Sequence, residues 1–163
     1  MLIVISGPTG SGKSTTALLL KKHIRRAALV ELDSLRDFIA EVPHDKAVPI
    51  VLEMAILVTK RLLEDTYNVI LVYPLYDYEF AKVRKSLRKW LTHSFVLSPQ
   101  KKVIQPGRGK RTLIPWEKKR IALQYKTGLH SPVFGIKIDN SAIKPLKVVE
   151  MILDQLPQTV IKR

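Results

Sequence analysis

The chain has 163 residues, 46% of them hydrophobic and 26% charged, with no cysteine and a formal net charge of +14. This length makes one domain that buries about two thirds of its unfolded surface without disulfide or metal staples, and the missing cysteines exclude thiol catalysis and thiolate metal sites. His23, His44, His93 and His130 lie far apart, and no pair has metal-site spacing.

Taken in chain order, periodicity and turn signals predict a strand over 2–6, a helix over 13–27 and a strand over 28–32. A short helix over 34–41, a helix over 47–65 and a strand over 68–73 follow. The second half reads as helix 78–91, strand 93–97, a short helix from about Pro99, a loop, helix 116–127, strand 134–138 and helix 143–156. Alternating strands and helices imply an α/β fold with a parallel sheet covered on both faces. Asn68-Val69-Ile70-Leu71-Val72-Tyr73 is nearly continuous in apolar residues, as a strand buried on both faces should be. The least regular segment is Gln105 to Pro115, where Pro106-Gly107-Arg108-Gly109 interrupts any helix.

Two further features bear on location and partners. The apolar amino terminus lacks a basic leader, and the longest apolar helical stretch, Val48 to Val58, is too short for a membrane and carries Glu53. A cytoplasmic protein without a membrane segment is the expectation. Charge is distributed unevenly, with 9 basic against 10 acidic residues in 1–81, 14 against 1 in 82–126 and 5 against 3 in 127–163. A surplus of this kind suits a nucleic-acid backbone, although a solvated helix face produces it equally well.

The residues Gly7-Pro8-Thr9-Gly10-Ser11-Gly12-Lys13-Ser14 form a complete G-x-x-x-x-G-K-S phosphate-binding loop, directly after the apolar Leu2-Ile3-Val4-Ile5 and ahead of the helix that takes in Thr15. A strand, a glycine-rich turn and a helix start point successive backbone N–H groups at a β-phosphate, at the positive end of the helix dipole. Lys13 reaches the β- and γ-phosphates, and the Ser14 hydroxyl is a ligand for Mg²⁺. Nucleoside triphosphate binding follows from this motif.

After the second strand, Glu31-Leu32-Asp33-Ser34-Leu35-Arg36 places Asp33 at the carboxyl edge where ligands of open parallel sheets bind. Asp33 is a candidate base for an acceptor hydroxyl or a carboxylate for the Mg²⁺, against the alternative of a helix N-cap. Glu31 is a weaker rival on the same face. Arg36 is a candidate grip on the acceptor or a surface arginine. The third strand runs into Tyr73-Pro74-Leu75-Tyr76-Asp77 without the acid that nucleotide-hydrolysing proteins place there, and no Asn-Lys-x-Asp guanine motif occurs, which argues against a motor or a GTPase switch. Arg108, Lys110 and Arg111 sit on glycine-flanked backbone, a lid over about 105–115 whose arginines would neutralise a transferring phosphoryl group. Arg120 is a further candidate for the same anion. Asn140 and Ser141, after the last strand, are candidates to approach the base of the nucleotide, or form an ordinary turn and cap. Trp90 and Trp116 read as packing residues rather than stacking platforms.

The combination of loop, Asp33, basic lid and Asp139-Asn140-Ser141 resembles the small P-loop kinases. Within them it is most similar to the chloramphenicol phosphotransferase and tunicamycin-resistance group, with shikimate and gluconate kinases as more distant kin. Further points of likeness are Thr66-Tyr67, Pro74, Trp116 and Gly128-Leu129-His130-Ser131-Pro132-Val133-Phe134. The resemblance implies a three-layer P-loop NTPase fold, a single kinase domain over 1–163 with a five-stranded parallel sheet of nucleoside-kinase type and a small lid. It implies transfer from ATP to a hydroxyl of a small molecule, with Asp33 as base, Lys13, Arg108 and Arg111 on the phosphates, and residues 139–141 near adenine. Pro106-Gly107 departs from the helix that the group continues into its first lid arginine. Asp33-Ser34-Leu35-Arg36 also resembles the Asp-x-x-Arg of phage-type polynucleotide 5′-kinases, which implies a polynucleotide or nucleotide acceptor as an alternative. A non-catalytic nucleotide-binding or nucleic-acid-binding module is the alternative of another class. No residue pattern names the acceptor or the oligomeric state.

Overall fold

The computed structural model describes residues 1–107 and 112–162. Five parallel strands, β1 (Leu2–Ser6), β2 (Ala27–Glu31), β3 (Asn68–Val72), β4 (Thr92–Leu97) and β5 (Ile136–Ile138), form one sheet in the order β2-β3-β1-β4-β5. The most apolar strands hold the centre. β1 pairs Leu2 with Val69 on one side and with Thr92 on the other, and its five residues are all buried.

Alternation along the strands feeds two cores. Ile3, Ile5, Ile70 and Phe95 face a layer made by α1 (Lys13–His23) and α7 (Pro145–Leu153), with Leu20, Val148 and Ile152 fully buried between them. Leu2, Val4, Val69 and Leu71 face the opposite layer, α3 (His44–Glu64) and α4 (Asp77–Ser86), through Val51, Leu52, Ala55, Val83 and Leu87. Burying a side chain of this kind contributes roughly 1.5–3 kcal/mol, so side chains on both faces of one sheet make the three layers cohere. A small satellite core of Ile104, Leu113 and Ile121 joins α5 (Lys101–Ile104) to α6 (Pro115–Lys126) beside the sheet.

Every predicted element is present, with shifted ends. α1 stops at His23 because Ile24 turns extended and bridges Ile161. α3 starts three residues before the expected 47, since the Pro43 carbonyl accepts from the N–H groups of Lys46 and Ala47 at 3.1 and 2.9 Å and encloses Pro49 within the helix. The most consequential shift is at β2. It ends at Glu31, and α2 (Leu32–Arg36) begins at the next residue. Asp33 therefore lies in the first turn of a helix rather than at a strand end. Glu31 occupies the N-cap position without a side-chain cap, so the capping alternative for Asp33 and Ser34 falls.

Among the described residues no helix is long and apolar enough to cross a membrane.

Candidate functional site

The phosphate loop leaves the carboxyl end of β1 and turns into α1 at Lys13. Gly7 is the residue the turn cannot replace. Its φ is +135°, and a Cβ there would stand 2.2 Å from the Leu97 carbonyl oxygen, so only glycine lets the loop lie against the end of β4.

Three connections hold the loop from outside. Asn140 donates from Nδ2 to the Ser11 carbonyl at 2.8 Å, the backbone N–H of Thr9 donates to Oε1 of Gln124 on α6 at 2.8 Å, and Leu75 N–H donates to Ser6 Oγ at 3.0 Å. Asn140 and Gln124 are both buried, and hydrogen bonds of buried polar groups are costly to lose. The β5–α7 loop, the α6 helix and the β3–α4 loop are thereby fixed around one backbone turn. Gln124 has no local sequence signature; it is one polar residue on the buried side of an otherwise ordinary helix.

A cavity of about 490 Å³ opens over this turn, lined by Thr9, Gly10, Gly12, Lys13 and Ser14 of the motif and by Thr15 after it. Asp33, Arg120 and Asn140 also line it. Lys13 Nζ donates to the Pro8 carbonyl at 2.9 Å, which holds the ammonium across the loop. The Ser14 hydroxyl donates to Oε1 of Glu31, so the carboxylate rated the weaker rival touches the serine, while Asp33 lines the cavity two residues on. Glu31, Asp33 and Ser14 offer hard oxygen donors only. That set suits Mg²⁺, which takes one or two protein oxygens and keeps waters and phosphate oxygens for the rest.

Other predicted residues are placed differently. Arg36 lines neither this cavity nor the one beside it. Ser141 accepts from Gln100 N–H at 2.8 Å and bonds Asp139, whose carboxyl these Ser141 hydrogen bonds hold below its ordinary value. Arg108 and Arg111 lie outside the described residues.

A second cavity, of about 800 Å³, adjoins the first and shares Pro74, Trp116 and Arg120 with it. Its walls come from α3 (Val48, Leu52), the β3–α4 segment (Tyr73, Tyr76, Tyr78) and α6 (Leu123). Arg120 is the hinge of the two. Its guanidinium lies 5.1 Å from the Trp116 ring centroid and hydrogen-bonds the Tyr73 hydroxyl. Burial raises the Tyr73 phenol pKa, Arg120 opposes the rise, and the nearby Asp33 charge adds to it. Asp33 thus stands within electrostatic reach of a residue on the second cavity's wall. Burial also pushes the Glu79 carboxyl up, against the Tyr76 N–H that donates to it at 2.8 Å and the charge of Arg120.

No protein-family model matches the chain, and no curated protein matches it in sequence. Solved structures do match in fold. The tunicamycin resistance protein of Deinococcus radiodurans is 18% identical with a TM-score of 0.63, over 99% of this chain and 98% of that one. A sugar kinase from a Janibacter species is 19% identical with a TM-score of 0.74, over 94% and 92% of the two chains. The shikimate kinase of Aquifex aeolicus is 17% identical with a TM-score of 0.59, over 95% of each. The five-stranded parallel sheet with helices on both faces is the fold of this P-loop kinase-like group.

Proposed function

We propose that the chain is an ATP-dependent phosphotransferase that moves the γ-phosphoryl group to a hydroxyl of a small-molecule acceptor. The observation that carries this reading is the pair of adjoining cavities, with Arg120 shared by both and Asp33 on the wall of the first, within electrostatic reach of Tyr73 on the wall of the second. A module that only bound nucleotide would need the first cavity alone. Structural kinship with kinases of small hydroxyl compounds supports the same reading. Arg36, which the polynucleotide-kinase alternative needs on the acceptor, lines neither cavity, so the small-molecule acceptor is favoured.

In this reading the backbone N–H groups of Gly10, Gly12 and Lys13 face the β-phosphate, and the Lys13 ammonium exchanges the Pro8 carbonyl for β- and γ-oxygens. Ser14, with Asp33 or Glu31 through water, would hold the Mg²⁺, which neutralises charge on the phosphate oxygens. The base of the nucleotide lies toward Asn140, Ile143 and Pro145, with Ser141 behind them in the same loop. Asn140 contributes by fixing the loop at Ser11. Asp33 accepts the proton of the acceptor hydroxyl as the hydroxyl oxygen bonds to the γ-phosphorus and the bond from that phosphorus to the β–γ bridging oxygen breaks, releasing ADP, a general-base role worth roughly 10²–10⁴ in rate. Arg120 steadies the reacting anion.

A radiolabel-transfer screen tests the reading, with γ-labelled ATP or GTP offered against pooled sugars, antibiotics, nucleosides and oligonucleotides. A labelled small alcohol is the expected product. Tight nucleotide binding with no labelled organic product from any pool would overturn it.

A further inference from the structure

The basic surplus of the 82–126 segment does not all lie at the phosphate loop. A further cleft of about 640 Å³, which shares Lys82 with the second cavity, is lined by Lys60, Lys82, Lys85, Arg88 and Lys89 together with Trp90, and by no acidic residue among the described ones. It forms where the carboxyl ends of α3 and α4 meet, next to Thr92, which opens β4 opposite Leu2. That is the amino edge of the sheet. The phosphate loop leaves the other edge, at Ser6, the far end of a strand that spans roughly 16 Å.

Most of this positive charge is unneutralised. Lys82 pairs with Glu53 at 2.7 Å, and Lys60 lies 4.0 Å from Glu64. Among the described residues no carboxylate lies within 4.0 Å of Lys85, Arg88 or Lys89, and all three are exposed. Three such side chains around one concavity give it a positive potential that attracts an anion. Trp90 is half-buried in the cleft wall, a π surface beside the cations.

We infer that this cleft binds single-stranded nucleic acid, with successive phosphates on Lys85, Arg88 and Lys89 and a base stacked on Trp90. A line of cations beside an aromatic ring is the pattern that tracks a strand without reading its sequence. The concave shape favours a strand over a bilayer, which needs a flat or convex face. The cleft and the phosphate loop lie at opposite edges of the sheet, and the strand is inferred to be bound here whether or not it is an acceptor. The inference stands or falls apart from the transferase reading.

The test is fluorescence anisotropy of the full chain with a 3′-labelled, 5′-phosphorylated oligothymidylate of about ten nucleotides; the 5′-phosphate removes it as a kinase acceptor. Saturable binding is expected, weakening about 20-fold between about 50 and 200 mM salt, as three phosphate contacts on a single strand require. The triple substitution K85E/R88E/K89E should weaken it at least about tenfold with an unchanged melting temperature. Trp90→Leu, which keeps the apolar packing, should weaken it at least about fivefold. An absence of binding at the lower salt, equal binding by the triple variant, or binding to phosphatidylserine vesicles in place of the strand overturns the inference.

Discussion

The two adjoining cavities are built by different means. The first has a floor of backbone: five residues of the motif, Thr9, Gly10, Gly12, Lys13 and Ser14, line it, Gly7 could not carry a side chain, and Ser11 and Thr9 are held by Asn140 and Gln124. The second is made of side chains from α3, the β3–α4 segment and α6, several of them partly exposed. Backbone geometry is fixed by the fold and tolerates little change, whereas a wall of side chains can be rebuilt without unfolding the sheet. The first cavity therefore suits a component common to many reactions, and the second a component that varies.

That difference orders the expected effects of substitution. Gly7→Ala should be the most damaging, because its Cβ would meet the Leu97 carbonyl oxygen at 2.2 Å where backbone must move on one side or the other. A loss of at least about 3 kcal/mol is expected in denaturant unfolding; a near-native midpoint would show that the loop relaxes away from β4. Asn140→Ala removes the donor to the Ser11 carbonyl and should cost about 1–3 kcal/mol, with weaker nucleotide binding in a calorimetric titration. Unaltered nucleotide affinity would separate that brace from the phosphate loop's function.

Substitutions in the second cavity should look different. Leu123→Ala removes an exposed side chain from its wall, so stability should change by less than about 0.5 kcal/mol. The acceptor KM should rise roughly 5- to 10-fold, the loss of one apolar contact, while the KM for ATP holds. A parallel rise in both constants would mean that the cavities are not distinct compartments.

The smallest effect concerns pH. Burial raises the Glu79 carboxyl above its ordinary value, so the fold favours the protonated form. The stabilisation it gives is complete below the unfolded-state pKa and is lost as pH rises through the folded value. Glu79→Gln does not titrate, and the difference in melting temperature between variant and parent should move in the variant's favour from about pH 4 to about pH 7. A difference constant across that window would assign Glu79 an unburied environment.

The same contrast explains what could be read in the sequence. Gly7 to Ser14 is contiguous, and its chemistry needs those residues at that spacing, so the first cavity was legible before any coordinates. Sheet and helices were legible too, because β1 and β3 are apolar apart from Ser6 and Asn68, and α3 and α7 carry 3.6-residue patterns. Only ends were missed, and at β2 the missed end mattered: moving Asp33 into α2 leaves Glu31 on the Ser14 hydroxyl. On α6, Arg120 is legible as a cation for the transferred anion, but its place between two cavities is not. Trp116, Arg120 and Leu123 come together with Val48 and Tyr73 only through tertiary packing, and no local pattern marks such a set. The lid arginines Arg108 and Arg111 fall outside the described residues.

The central claim is that a phosphoryl group passes directly from the first cavity to a hydroxyl in the second, with Asp33 as the base that takes the hydroxyl proton. Label transfer by Asp33→Asn, measured beside equilibrium ATP binding, tests it most directly. Transfer reduced by roughly 10²–10⁴ with nucleotide affinity retained is the predicted result; transfer at the parent rate would contradict it.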